Sequence, residues 1–500
     1  MVTREEEPLK SKPEQKKSLR EKYQYIKENI TVEPVLACYV VPGMLARLAT
    51  QNLYLDKACR VNINYGDKIC SALVAKEGNL YQDEERAVQE LIAGMDVWKN
   101  ILLTSIPSFL ILFLGAWSDR TGKRKICILL PIIGDLLMCI SNIINVYFFY
   151  ELPVQVTMFF EAFFPAVTGG WIATYMGAFS YISDVSSEES RTFRVGVANL
   201  CLTAGSPIGS ALSGILLKQI GYYGVFTLSS ILYIFSIFYG FFYIKDPERP
   251  VQKKKDENES TGCFAFLKSF FAIKHVKDTL TIGFKEGPNN RRIKSILVML
   301  AIAFIYGPAY GEYTVRYLFC RSRFNWDALK YSFYNTFYIC VHSVGALISI
   351  SVFSRRFGWD DSTLGIISNV SKIAGGLATG LARTSTQMYF AVAIETFNAT
   401  SFTALRSISS KLVSSDELGK MISLFNLMEI VTSMVFGPIY SWVYMVTVAV
   451  DTGVVYYIST AMTFAPVFIF WWFFKENRKM CREKREKQTQ LKALSAKEEA

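Results

Sequence analysis

The sequence predicts an all-α membrane protein of twelve transmembrane helices in two six-helix bundles. Three observations predict it. Apolar runs of membrane-spanning length recur from Val35 to the region of Phe474, in a chain of 500 residues that is 51% hydrophobic. Each run is near the roughly 20 apolar residues that a span needs. The runs are continuous rather than alternating, which selects helices over a closed barrel, the other structure that satisfies its own backbone in lipid. Finally, the basic residues behind the net charge of +11 concentrate in the N-terminal tail, around Lys123, between Lys245 and Lys294, and after Lys475. Cationic segments resist translocation, so these four are placed in the cytosol.

The elements follow in order. Residues 1–32 form a cytosolic tail, dense in Glu, Lys and Arg and without the apolar core of a secretory signal. Spans are expected near 33–54, 95–117, 126–149, 154–182, 193–217, 223–244, 295–317, 330–353, 362–382, 386–410, 420–445 and 453–474. Residues 33–244 make the N-terminal bundle, with a long outer loop at 55–94. Residues 245–294 are a cytosolic loop between bundles, 295–474 the C-terminal bundle, and 475–500 a cytosolic tail. In the inter-bundle loop, Cys263 to Phe284 interleaves Phe264, Phe266, Leu267, Phe270, Phe271 and Ile273 with Lys268, Lys274 and Lys277, the pattern of a helix in the interface plane. Lys253-Lys254-Lys255 reads as a solvated linker rather than a nucleic-acid contact. One feature departs from the charge rule: the outer loop after the seventh span carries Arg316, Arg321, Arg323 and Lys330.

Val185-Ser186-Ser187-Glu188-Glu189 follows the fourth span and Val413-Ser414-Ser415-Asp416-Glu417 follows the tenth. Equivalent loops in two halves suit a duplicated six-helix bundle. Ten cysteines are scattered without a Cys-x-x-Cys. Most lie in apolar runs, but Cys59 and Cys70 share the first outer loop, where an oxidising compartment permits a bridge. Cys320, near another outer loop, is an alternative partner.

Nothing in the chain points to bond-making. It has two histidines, no metal-ligand cluster and no phosphate-binding Gly-Lys-Ser or Gly-Lys-Thr loop, so no enzyme activity, cofactor or metal is expected. Ionisable residues at membrane depth cost a few kcal/mol each and mark pathways by default. Arg47, Asp135, Glu161, Glu312, Arg316, Glu395, Arg406 and Glu429 are such residues. Arg47 and Arg406 would face one cavity from opposite halves and attract an anion, with bidentate geometry for carboxylate or phosphate. Tyr306 and Tyr310 join them as candidates for binding a solute. Glu429, Asp135, Glu161 and Glu395 are candidates for proton coupling. For Glu429 the alternative is an ion pair with Arg406, and for Asp135 a pair with a neighbouring span. Glu312 and Arg316, spaced i, i+4, are expected to pair locally, and His342 to be a hydrogen-bonded core residue. Pro42-Gly43 and Gly205-Ser206-Pro207 are expected to interrupt the first and fifth spans, since broken helices often line cavities.

The stretch Gly115-Ala116-Trp117-Ser118-Asp119-Arg120-Thr121-Gly122-Lys123-Arg124-Lys125 is a basic loop between two spans. It resembles the loop between the second and third helices of major facilitator superfamily transporters. Residues 181–196 (YISDVSSEESRTFRVG) and 205–214 (GSPIGSALSG) extend the resemblance to the proton-coupled folate transporter and thymic stromal cotransporter branch, solute carrier family 46. The resemblance implies the major facilitator fold, a central cavity and alternating access. It implies a small organic anion, folate-like in type, moved with protons as a secondary carrier. The plasma membrane is the simplest location, and Tyr23-Gln24-Tyr25-Ile26, which fits a tyrosine sorting pattern, makes an endosomal or lysosomal membrane the alternative. It further implies a cytosolic gating network of Asp119, Arg120, Arg124, Asp184 and Arg191, with Gly115, Gly122 and Lys123 shaping the loop. An efflux antiporter of the same fold and a non-transporting receptor or scaffold are the alternatives. The expected partners are a small solute, protons and the lipid bilayer.

Overall fold

A computed structural model describes residues 31–75, 81–186, 188–246, 283–287, 290–354, 356–413 and 417–498. In chain order, α1 (Glu33–Lys57) leads through a π-helical turn (Ala58–Ile63) to the short α2 (Asp67–Ala75). Then α3 (Gln82–Thr121), α4 (Arg124–Tyr147), α5 (Val154–Thr168), α6 (Gly170–Val185) and α7 (Glu188–Tyr243) complete the N-terminal bundle. The C-terminal bundle holds α8 (Arg291–Phe324), α9 (Ala328–Ile348) with a π-helical extension (Ser349–Ser354), α10 (Asp361–Leu381), α11 (Ser385–Ile394), α12 (Thr400–Lys411), α13 (Leu418–Thr447) and α14 (Val454–Glu498). The interfacial helix expected over Cys263 to Phe284 lies outside the described residues except for Gly283 and Phe284.

Among the described residues, eight helical segments are long and apolar enough to cross a membrane. One of them, Arg194–Tyr243, has 50 residues. At about 1.5 Å per residue it is more than twice the thickness of a hydrocarbon core. The chain turns within it at Gly221, at φ 64°, so it supplies two spans. α1, α10 and the broken pair α11–α12 are shorter or more polar and bring the crossings to twelve.

Several sequence expectations are corrected. The second span begins as α3 at Gln82, not near 95, because its acidic first turn (Asp83, Glu84, Glu85) suits a helix N-terminus, and Glu85 and Gln89 are buried with partners on the other bundle. Residues 115–121 belong to α3, and the loop shrinks to Gly122 and Lys123. Gly122 takes φ 71°, and its N–H caps Ser118 O at 2.9 Å; a left-handed C-cap of this kind favours glycine. Neither Pro42 nor Pro207 interrupts its helix. The breaks fall instead at Gly169, between α5 and α6, and at Glu395–Ala399, between α11 and α12.

The bundles meet through α3 against α13 and α7 against α9. Small residues allow the approach: a Cβ on Gly94 would sit 2.9 Å from Met445 Sδ, and one on Gly214 would sit 2.7 Å from Leu329 Cα. One buried cluster, including Leu48, Tyr54, Met95, Tyr317, Tyr440 and Tyr444, runs across both bundles in their outer halves. Separate cores fill the N-terminal bundle around Val35, Ile128 and Tyr233 and the C-terminal bundle around Val298, Leu405 and Phe470.

Candidate solute cavity and its charged surroundings

A cavity of about 110 Å³ lies between the bundles. Its wall includes Arg47 and Tyr54 from α1, Asp96, Lys99 and Asn100 from α3, Glu161 from α5, and Tyr310, Tyr313 and Tyr317 from α8. Arg47 reaches across the interface. Its guanidinium lies 3.6 Å from the centre of the Tyr313 ring and donates to the Tyr313 hydroxyl. A ring face holds a cation without neutralising it, and among the described residues Arg47 forms no salt bridge. Lys99 is spent locally, 2.7 Å from Asp96 and 3.6 Å from Glu161.

From the cavity wall to the outer face, the bundles are latched. Arg321 Nε donates to Glu85 Oε1 at 2.7 Å, and Arg321 Nη2 to Leu73 O at 2.8 Å and Glu85 Oε2 at 3.3 Å. Tyr444 donates to Gln89 at 2.8 Å, Tyr317 to Asn52 at 2.7 Å and Asn100 to Ser441 at 3.1 Å. Cys59 and Cys70 are joined in a disulfide that ties α2 to the end of α1, and Cys320 is buried and free. These pairs explain the outer arginines that break the charge rule. Arg321 is consumed by the opposite bundle, Arg323 by Asp451 at 2.8 Å, and Arg316 lies 3.9 Å over the Tyr338 ring. The molecule is therefore closed toward the outer face.

Arg406 does not line the cavity with Arg47. It stands on α12 with 52% of its side chain exposed, 2.8 Å from Glu429, between the Phe402 and Phe425 rings at 5.1 and 5.3 Å. An aromatic series along α8 links the two arginines: Tyr313, Tyr310 and Tyr306 follow one another at ring distances of 6.5 and 6.2 Å, and Tyr306 stacks on Phe402 at 5.8 Å. Tyr306 and Tyr310 thus sit on this path. The ion-pair alternative for Glu429 is the one formed. Asp135 lies within the N-terminal bundle beside Tyr39, whose ring is 6.4 Å from Tyr175 and 6.2 Å from Tyr233.

The expected local pair of Glu312 and Arg316 is absent from the described contacts. Glu312 instead meets Lys372 of α10 at 2.7 Å, and Lys372 meets Glu395 at 2.8 Å. Lys372 was missed in the sequence reading, although a lysine in the middle of an apolar run was the signal. Asp96 and Lys99 were missed because they fall where a loop-to-span boundary was expected. His342 is buried, but its Nε2 has no hydrogen-bond partner among the described residues.

On the face that the basic segments share, Arg124 binds Asp184 at 2.9 Å and Ser118 at 3.0 Å. The side chains of Asp119, Arg120 and Arg191 lie outside the described residues. Lys123 is exposed. Gly115 permits contact with α6, since a Cβ there would be 3.2 Å from Met176 Sδ.

Two helical bundles latched on one face around a buried polar cavity define a multi-pass membrane carrier. The model of the Major Facilitator Superfamily matches residues 100–394, and the chain belongs to that family. Among curated relatives, the chain is 23% identical to a probable peptidoglycan muropeptide transporter of Drosophila melanogaster, over 85% of this chain and 81% of the relative. It is 27% identical to solute carrier family 46 member 2 of Mus musculus, over 77% and 81%. It is 22% identical to the proton-coupled folate transporter of Rattus norvegicus, over 77% and 79%. Among solved structures it resembles the human organic anion transporter MFSD10, with a TM-score of 0.57 at 12% identity over 88% of this chain and 98% of that one. It also resembles a POT family transporter, PepTSo, with a TM-score of 0.56 at 12% identity over 90% and 98%. The protein is a membrane transporter similar to the solute carrier 46 members.

Proposed function

We propose that the protein moves a small organic anion by alternating access, with protons as the coupling ion. The observation that carries this reading is Arg47. It is a cation at the cavity wall held by an aromatic ring rather than by a carboxylate, so its charge remains available to a carboxylate or phosphate of the solute. The tyrosines of α8 would flank the solute's apolar body, as aromatic side chains do in ligand cavities. The outer-closed arrangement, with Arg406 exposed beyond the cavity, supports a path that passes from Arg47 along Tyr310 and Tyr306 to Arg406 and Glu429. Folate and bile acids, named for the rat relative and for a symporter of Gallus gallus that is 22% identical, are organic acids and suit such a path. A plasma-membrane location is the simplest reading, with an endosomal or lysosomal membrane as the second.

The test is uptake of labelled folate, bile acid and muropeptide into cells expressing the protein, at mildly acidic and neutral pH, with wild type and Arg47→Ala side by side. Acid-stimulated uptake of one of these that Arg47→Ala abolishes is the expected result. Anion uptake that Arg47→Ala leaves unchanged would sink the reading.

A further inference from the structure

The cluster behind the cavity has a use that the solute path does not absorb. Lys372 is 5% exposed, Glu312 2% and Glu395 4%, and they come from three separate elements of the C-terminal bundle. Glu395 stands where the tenth span is broken, and its Oε1 accepts from Lys372 and from Asn398, both at 2.8 Å. Gly375 makes room for it: a Cβ there would lie 2.5 Å from Glu395 Cβ. Glu312 Oε2 accepts from Lys372 at 2.7 Å, while Glu312 Oε1 has no partner among the described residues. Two further buried atoms around the cluster are also unpartnered, His342 Nε2 and Tyr456 Oη. Orphaned buried polar atoms mark a place for a proton, a water or an ion.

The groups facing the cluster are Arg316 on α8, Tyr338 and His342 on α9, Tyr440 on α13 and Tyr456 on α14. Arg316 rests on the Tyr338 ring and donates to neither carboxylate among the described contacts. Two carboxylates therefore share one ammonium hydrogen-bonding partner.

α8 connects this cluster to the gate. Tyr313, Tyr317 and Arg321 are spaced i, i+4, i+8, so they share a face. That face makes the contacts to Arg47, Asn52 and Glu85 across the interface. Glu312 is on the adjacent face, tied to α10. We propose that the Lys372-bridged carboxylates Glu312 and Glu395 are the proton-binding site of this carrier, and that their protonation releases α8 and with it the outer gate. One carboxylate takes one proton from water, and the cluster becomes more positive by one unit. Lys372 then keeps its hydrogen bond only to the other carboxylate. The return step gives the proton to water on the opposite face. The outer-closed molecule, with Lys372 gripping both carboxylates, is the deprotonated form. This assignment rests on the proton-coupled reading above, but its test needs no solute.

Spin labels at Gln82 and Val450, on opposite walls of the outer pocket, report gate opening in the full chain reconstituted in liposomes, with its free cysteines replaced. On acidification the ratio of long to short distances should rise, by up to about tenfold per pH unit, the limit for one proton. Glu312→Gln should hold the long distance at neutral pH and lose the pH response. Glu395→Gln gives a second reading if the first variant does not fold, and Glu486→Gln, exposed near the end of α14 and far from both sites, should keep the wild-type response. A wild-type distance indifferent to pH overturns the proposal. So does a wild-type response in both triad variants. Failure of every anion in uptake beside an intact, triad-dependent response would remove the anion reading and leave this site standing.

Discussion

In the N-terminal bundle four charges at membrane depth, Arg47, Asp96, Lys99 and Glu161, line the cavity, while Asp135 lies within the bundle beside Tyr39. In the C-terminal bundle Glu312, Lys372 and Glu395 are sunk among helices, and Arg406 with Glu429 stands apart toward the inner face. The cytosolic ends of the two bundles show the complementary lesson. In the first, an acid that opens α1, Glu33, meets a base near the start of α7, Arg194, at 3.1 Å. In the second, a base that opens α8, Arg291, meets an acid just ahead of α13, Glu417, at 2.8 Å. Likewise Arg124 at the start of α4 meets Asp184 at the end of α6, whereas Asp361 at the start of α10 meets Lys411 at the end of α12 at 2.6 Å. The pairs occupy equivalent places with the signs exchanged. Packing fixes where a pair is needed, and Coulomb's law is indifferent to which partner carries which sign. The two halves share the positions of these pairs and differ in their signs.

The largest effect should come from the contact that joins the halves. Arg321→Ala takes the cation from Glu85, which keeps the Gln89 amide as a donor at 2.8 Å, at a cost of at most about 3–5 kcal/mol, and the outer face should open, as labelling of a cysteine placed at Leu73 would show. Exchanging the two residues, Arg321→Glu with Glu85→Arg, should restore much of the protection. Next, Arg47→Ala removes a charged hydrogen bond worth about 1.5–3 kcal/mol, so KM for a transported anion should rise by roughly 10–100-fold while an uncharged analogue is unaffected. Third, exchanging the first bundle's pair, Glu33→Arg with Arg194→Glu, should leave the thermal midpoint nearer wild type than Arg194→Ala does. A double exchange as damaging as the single change would break the idea that sign is free.

The smallest effect is expected at the second bundle's equivalent. Hydrogen bonds from Lys285 and Arg291 hold the Glu417 carboxyl below its usual range. A depressed folded value gives stability that is present above the unfolded value and lost as pH falls through the folded one. Glu417→Gln should therefore lower the thermal midpoint slightly at neutral pH, and the gap to wild type should close on acidification.

Much of the architecture was legible because each span must satisfy its own backbone in lipid, and an apolar run of that length has little alternative. The Glu429–Arg406 pair was visible as one of two readings, since both residues lie inside spans. The Lys372 bridge was not, because spacing along a helix suggested Arg316 as the neighbour of Glu312, and only the packing of α8 against α10 and the broken tenth span supplies a nearer cation. The start of α3 was misplaced because its polar first turns look like a loop until Arg321 and Tyr444 are seen covering them from the other bundle.

By itself the sequence determined the solvent of this chain and its many-helix membrane fold, since length, hydropathy and charge are local quantities. Tertiary structure alone decided which charges meet: that Arg321 closes on Glu85, that Arg47 rests on Tyr313, and that one lysine serves two carboxylates. Partners far apart in the chain are chosen by the three-dimensional packing of helices, and no periodicity within a single helix encodes them.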